Sequence, residues 1–242
     1  MTARPFLLVA TRTEDEVADE EYEAFARFLG VPHRRLHRLR LESEPMPSID
    51  LDRYAGVLTG GSPFNSSDTE KSPLQQRVES DLGRLLDELV ARDFPFLGAC
   101  YGVGTLGVHQ GAVVDRTYGE VPGAGHITLT EVGRRDRLCA GVPEDFDAFL
   151  GHKEAVRTLP PHAVLLATSG PCPVQMFKVR TNLYATQFHP ELDAEGLASR
   201  LGAYRDHGYF APHELDRLVA DARAASVTHP QQILANFAAL FG

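Results

Sequence analysis

The sequence is short of cysteine and of long apolar runs, and it has no surplus of positive charge. Its three cysteines, Cys100, Cys139 and Cys172, include no C-x-x-C pair. That excludes a disulfide framework and a zinc knuckle. There is no H-E-x-x-H, and His33 and His37 stand in a segment that reads as a strand, so no metal is expected. No phosphate loop of the G-x-x-x-x-G-K-[ST] type occurs, and no cofactor is expected. Nothing approaches the roughly 18 consecutive apolar residues of a membrane span. Near the start only Pro5 to Ala10 is apolar, and Thr11, Arg12, Glu14 and Asp15 follow at once, unlike a secretory leader. A chain of the cytoplasm with no membrane partner is expected. Lys and Arg total 24 against 33 Asp and Glu, a net charge of -9, which argues against nucleic acid as a partner.

What is present suits a globular α/β protein. The 242 residues are 43% hydrophobic, enough to bury a large core without staples. Phe6 to Ala10, Arg34 to Leu41, Tyr54 to Thr59 and Phe94 to Ala99 read as strands. Glu16 to Leu29 reads as a helix stopped by Gly30-Val31-Pro32. Ser72-Pro73-Leu74-Gln75 opens another, with Ser72 as cap, running to about Arg92. Tyr101 to Gln110 is a short helix holding three glycines. This alternation predicts an open, mostly parallel sheet flanked by helices. From His126 the signal changes. His126 to Val132, Phe146 to Leu150, Val164 to Thr168, Val174 to Val179 and Leu183 to Phe188 are short strand-like segments, for which antiparallel pairing is expected. Asp193 to His207, Pro212 to Ala225 and Pro230 to Phe241 read as helices. The division predicted is a catalytic domain over residues 1–192 and a helical C-terminal extension over 193–242, packed on it, with a homo-oligomer left open.

Three segments carry chemistry. In Gly98-Ala99-Cys100-Tyr101-Gly102 a lone cysteine lies between an apolar strand and a helix, flanked by glycines. Such a turn sets a side chain at the carboxyl end of a strand and near a helix N-terminus, which favours a thiolate nucleophile. In Phe188-His189-Pro190-Glu191 a histidine follows a strand directly and a carboxylate lies two residues on, a base with its orienting partner. Gly60-Gly61 follows a strand and exposes backbone N–H groups. Gly61 with the Tyr101 N–H would form an oxyanion hole. Cys139 and Cys172 have no partner pattern and read as inert. The basic stretch Arg34, Arg35, Arg38 and Arg40 reads as a solvated edge strand.

The Gly-Gly, Gly-x-Cys-x-Gly and His-Pro-Glu elements, in this order and at these separations, resemble a class I glutamine amidotransferase domain. Gly151-His152-Lys153-Glu154-Ala155-Val156 is similar to the Ser-His-Gly-Asp-x-Val segment of the GMP synthetase type. The resemblance spans roughly residues 5 to 192. It implies a flavodoxin-like fold and a Cys100–His189–Glu191 triad hydrolysing the glutamine side-chain amide through a γ-glutamyl thioester. It also implies Gly60, Gly104 and His152 on the substrate side. Two positions depart from the family pattern. Gly104 stands four residues after the cysteine, where the family carries Gln, and Ser62 follows Gly60-Gly61 where Gly-Gly-Pro is commoner. Other γ-glutamyl peptides or amines therefore stay open as substrates. The Ser-Gly-Gly-x-Asp-Ser loop of an ATP-pyrophosphatase domain is absent, so a separate synthetase subunit is a possible partner. A catalytically silent regulatory subunit is the remaining alternative.

Overall fold

The computed structural model describes residues 3–242; Met1 and Thr2, where the leader reading begins, lie outside the described residues. Phe6–Ala10 forms β1, buried at every position. Its side chains alternate between two cores. Phe6 and Leu8 enter one, and Leu7 and Val9 the other. That alternation is the period-2 geometry of a strand covered on both faces.

Helix α1 (Asp15–Leu29) ends at Gly30, whose left-handed φ of 68° lets its N–H reach the carbonyls of Ala26 and Arg27. Strand β2 (Leu36–Arg40) follows a 3-10 turn over His33–Arg35, so the strand starts two residues later than the apolar pattern predicts. Strand β3 is Gly56–Thr59. Helix α2 (Pro73–Arg92) begins as predicted, with the Ser72 hydroxyl accepting the Gln75 N–H at 3.1 Å. Strand β4 (Phe96–Ala99) leads through Cys100 into α3 (Tyr101–His109).

Strand β5 (Val113–Asp115) is too short to stand out from its loop in the sequence, as is β8 (Ala155–Thr158), with which it pairs. Between them, β6 is Glu120–Leu129, α4 is Glu131–Arg135 and β7 is Asp145–His152. The predicted strand His126 to Val132 stops short because the Thr130 hydroxyl accepts the Gly133 N–H at 3.0 Å and starts α4. Strands β9 (Ala163–Thr168), β10 (Met176–Val179) and β11 (Leu183–Thr186) complete the sheet. Helices α5 (Ala194–Ala203), α6 (Leu215–Ala224) and α7 (Gln231–Phe241) follow.

The main sheet has nine strands in the order β2-β1-β3-β4-β11-β10-β9-β6-β7. From β2 to β11 all neighbours are parallel, and from β11 to β7 all are antiparallel. The mixed sheet is the predicted α/β architecture with one refinement. Strand β11, grouped by its sequence with the antiparallel segments, is also parallel to β4. One face packs α1 and α7 against Phe6, Leu8, Leu97 and Tyr184, with Phe25, Ile233 and Phe237 as the helical contribution. The other face packs α2 and α3 through Val78, Leu82, Leu89 and Leu106. A third cluster joins α5 and α6 over Phe149. The helices beyond residue 192 thus serve two cores, and α7 belongs to the same one as Phe6 and Leu8 of β1.

The basic edge strand is neutralised locally. Arg38 pairs with Asp19 at 2.7 Å, and Arg40 with Asp15 at 2.6 Å and with Glu42. Among the described residues no helix is long and apolar enough to cross a membrane.

Candidate active site

The register between β4 and β11 brings the two strongest sequence signals together. Ala99 lies opposite Thr186, so Cys100 leaves β4 one residue beyond the pair and His189 leaves β11 three beyond it. The junction is fixed by the Cys100 N–H donating to the Thr186 carbonyl at 2.7 Å and the His189 N–H donating to the Phe149 carbonyl at 2.9 Å. Cys100 has φ 53° and ψ -92°, an unusual conformation for a residue with a side chain. The flanking glycines have a more specific reason than free space around the sulfur. A Cβ on Gly98 would lie 2.7 Å from the Gly102 Cα, and one on Gly102 would lie 3.0 Å from Thr59 Cγ2. A glycine at 98 lets the first turn of α3 approach the strands this closely, and Gly102 leaves the contact with Thr59 unstrained.

His189 and Glu191 are 5% and 0% exposed, and His189 Nδ1 stands 2.8 Å from Glu191 Oε1. Burial opposes protonation of the ring. The Glu191 carboxylate outweighs it, with the charge and hydrogen bond of Cys100 adding, and the imidazole pKa rises to about 9. Glu191 is held well below the usual carboxylate range by the same partner and by Arg200, against its own desolvation. Cys100 and His189 line one pocket, and Cys100 lines a second with Gly104, His152 and Gln187.

Behind these residues lies a buried ionic network that the sequence patterns do not announce. Arg200 Nη1 donates to Glu191 at 2.9 Å, and its Nη2 reaches Glu21 at 3.4 Å. Arg12 Nε donates to the same Glu21 oxygen at 3.0 Å, and Arg12 Nη1 to the Tyr204 hydroxyl at 3.1 Å. Each guanidinium faces a carboxylate, so each of these buried ions has a partner of opposite charge. A signal does exist. Glu21 sits on the buried stripe of α1 with Val17 and Phe25, and Arg200 on that of α5 beside Leu197 and Leu201.

The network alters the predicted oxyanion hole. The Gly61 N–H donates to Glu21 Oε1 at 3.2 Å, so in this arrangement it already has an acceptor. Gly60 backs onto the same carboxylate, where a Cβ would lie 2.4 Å from the Glu21 side chain. Gly61 itself lies beside the site, since a Cβ there would meet Arg12 Nη2 at 2.2 Å and His189 Cε1 at 3.2 Å. The Tyr101 N–H, in the first turn of α3, has no helical acceptor.

The substrate-side candidates divide. Gly104 lines the second pocket. A Cβ on it would lie 2.5 Å from Ser66 Oγ and 2.8 Å from Glu154 Oε1. Glu154 is anchored there by the Ser66 and Ser67 N–H groups, both at 2.7 Å. The space a longer residue 104 would enter is thus filled by a clamped carboxylate. His152 is buried, with Nδ1 2.9 Å from the Glu154 carbonyl and Nε2 2.9 Å from Glu120. Both nitrogens are committed internally, so His152 shapes the wall without offering a free ring nitrogen.

A second cysteine-histidine-carboxylate grouping exists. Donor atoms of Glu120, His152 and Cys172 lie within 4.8 Å of one another, residue types consistent with a triad. Its thiol is poorly suited to attack. Cys172 is 0% exposed, burial pushes its pKa up to about 11, and it contacts the Val174 carbonyl at 3.6 Å. Cys139 is likewise pushed up to about 12 by burial.

Comparisons with known proteins identify the family and the fold. The family model described as Glutamine amidotransferase class-I matches residues 34–209. A subunit of the glutamine-hydrolyzing GMP synthase of Thermoplasma volcanium is 32% identical over 166 residues, covering 66% of this chain and 76% of the relative. The corresponding GMP synthase subunit of Methanocaldococcus jannaschii is 27% identical over 168 residues, covering 66% and 80%. Among solved structures, a glutamine amidotransferase from Thermotoga maritima superposes with a TM-score of 0.77 at 21% identity, covering 97% of this chain and 96% of that one. A GMP synthase subunit structure from Thermoplasma acidophilum gives 0.66 at 21% identity over 99% and 95%. At those identities the structural matches speak for the fold.

Proposed function

We propose a function from this premise: the chain belongs to the class I glutamine amidotransferase family. Its reaction is hydrolysis of a side-chain amide of the γ-glutamyl type, with glutamine the simplest substrate, at Cys100, His189 and Glu191. The observation that carries this reading is the buried imidazole, bonded to Glu191 at 2.8 Å on one side and partnered by the Cys100 thiol at a shared pocket.

In this mechanism the Cys100 sulfur attacks the γ-carbonyl and a C–S bond forms. Charge builds on the carbonyl oxygen, and the Tyr101 N–H at the positive end of α3 stabilises it. The Gly61 N–H serves only if it exchanges Glu21 for that oxygen. The C–N bond breaks as His189 gives its proton to the leaving nitrogen, and ammonia departs. Neutral His189 then takes a proton from water, which attacks the thioester, releasing glutamate and restoring the thiol. Glu191 holds the ring orientation throughout, and no cofactor enters.

Relatives that are named as one subunit of a GMP synthase support a role in which the ammonia passes to a separate synthetase subunit. A second reading, hydrolysis of other γ-glutamyl amides, is favoured by Glu154 and Ser66 filling the space beside Gly104. Cys100→Ala tests the shared chemistry. Glutamate release from glutamine is expected to fall by at least about a thousandfold, as for loss of a nucleophile that acts with its base. Release at the wild-type rate would refute the assignment.

A further inference from the structure

We propose that Glu120, His152 and Cys172 bind a zinc ion, in a structural site that uses none of the residues of the proposed reaction. The three come from the start of β6, the end of β7 and the loop between β9 and β10, so no sequence motif announces them. The register of β6 and β7 sets Glu120 opposite His152, and one donor atom from each of the three residues lies within 4.8 Å of the other two.

Hydrogen-bond accounting at His152 carries the inference. Its Nδ1 lies 2.9 Å from the Glu154 carbonyl, which only accepts, so Nδ1 carries a ring proton. The lone pair of a neutral ring is then on Nε2, and Glu120 Oε2 stands 2.9 Å from it. A lone pair and a carboxylate oxygen so close repel each other unless a cation lies between them. That cation is a second ring proton or a metal ion. An imidazole that donates its other N–H to a backbone carbonyl is oriented as metal-binding histidines are.

Two observations favour the metal. One is the Cys172 sulfur beside the pair. A bridging proton makes no use of it, whereas zinc takes thiolate, imidazole and carboxylate together, each at about 2.0–2.3 Å. The other is Gln175, which is 0% exposed. Its Nε2 donates to Glu120 Oε2 at 2.7 Å and to Ser169 Oγ at 3.0 Å, while its Oε1 is buried with no hydrogen-bond partner. An orphaned buried acceptor is costly. Turning the amide over sets that oxygen where the nitrogen now stands, beside Glu120, as a fourth ligand.

The charges balance. Without the metal, burial keeps the Cys172 thiol protonated and an imidazolium faces the Glu120 carboxylate. Zinc displaces two protons, one from the thiol that now reaches the Val174 carbonyl at 3.6 Å and one from His152 Nε2. Two positive charges replace two, a Zn–S bond replaces S–H, and nothing is oxidised or reduced. The Glu120 side chain is 11% exposed against 2% for His152, so Glu120 is the entry side. The ion ties β6, β7 and the β9–β10 loop together, and His152 carries that tie into the wall of a pocket that Cys100 also lines.

The test loads the full chain with zinc, removes the excess and measures metal per chain by elemental mass spectrometry. One zinc per chain is expected. Cys172→Ala and Glu120→Gln should each weaken binding by at least about a hundredfold, the upper end of what loss of a supporting partner alone costs. Cobalt(II) in place of zinc should give a thiolate-to-metal charge-transfer band that Cys172→Ala abolishes and Cys100→Ala keeps. The Cys100 variant is the control, because that thiol also has a histidine beside it. Zinc at a hundredfold excess over its Kd should raise Tm by about 5–11 °C. If one ligand variant fails to fold, the other and the wild-type loading still decide. No zinc retained by the wild type would overturn the inference and leave a proton alone between His152 and Glu120. Binding undiminished in the folded ligand variants, or a cobalt band lost with Cys100 and kept without Cys172, would also overturn it. Glutamate release is read separately, so each of these failures leaves the proposed reaction standing.

Discussion

Replacing Arg200 with Met tests whether the buried ionic network supports the triad. The guanidinium bridges Glu191 at 2.9 Å and Glu21 at 3.4 Å, and its Nη1 lies 3.1 Å from His189 Nδ1. Removing one partner of a buried pair costs about 3–5 kcal/mol, because it leaves a charge uncompensated. The lower end applies, since Glu191 keeps His189 and Glu21 keeps Arg12. For a chain of this size about 3 kcal/mol corresponds to a fall in Tm of about 6–12 °C. There is an electrostatic consequence too. A fixed positive charge beside the ring opposes the imidazolium, so its loss should raise the His189 pKa further. Thermal unfolding of the variant, and the pH profile of glutamate release, read the two effects separately. A Tm within about 2 °C of wild type, far less than that fall, would refute the network's structural role. An alkaline limb that stays in place or moves down would refute the coupling to His189.

Two further perturbations probe the site and the fold. The imidazole of His189 is raised to about 9 from an ordinary 6.5. Its contribution to stability is therefore complete below about pH 6.5 and lost as pH rises through about 9. Glu191, lowered, contributes above its ordinary value of 4.5 and loses that contribution as pH falls through its own lower pKa. Urea unfolding at pH 6, 7.5 and 9.5 should show falling stability, and Glu191→Gln should flatten the trend. An unchanged slope in that variant would contradict the pairing. Phe237 of α7 is 0% exposed and stacks near Phe6 with ring centroids 5.7 Å apart. Phe237→Ala should cost about 3–5 kcal/mol in chemical denaturation. A loss under about 1 kcal/mol, well short of a core aromatic's cost, would mean that α7 lies outside the main cooperative core.

The elements legible in the sequence are those in which one strong local rule decides. The Ser72 cap, the Gly30 stop and the five buried residues of β1 are all readable because capping chemistry and apolar runs are local. The turn at Cys100 is readable for the same reason, as glycines on either side of it have few uses other than close packing at a strand end. Short elements escape. Val113–Asp115 has three residues and no period to show, and Thr130 ends β6 by a side-chain cap that an apolar run conceals. The deeper miss concerns Glu21 and its neighbour Arg12, which meet Arg200 from a helix 179 residues away. Their convergence depends on the packing of α1 and α5 at the sheet end, which no local pattern encodes. The Gly61 amide illustrates the consequence. A Gly-Gly turn announces free N–H groups, but which acceptor takes them depends on a carboxylate 40 residues away.

In the proposed reaction the sulfur of residue 100, and no other, becomes acylated. Mass spectrometry after exposure to an electrophilic glutamine analogue, with peptide mapping of all three thiols, tests it directly. A single adduct on Cys100 is expected, lost in Glu191→Gln or much slowed, with Cys139 and Cys172 unmodified because burial holds both thiols protonated. An adduct on Cys172 with Cys100 untouched would contradict it and transfer the chemistry to the Glu120–His152–Cys172 grouping.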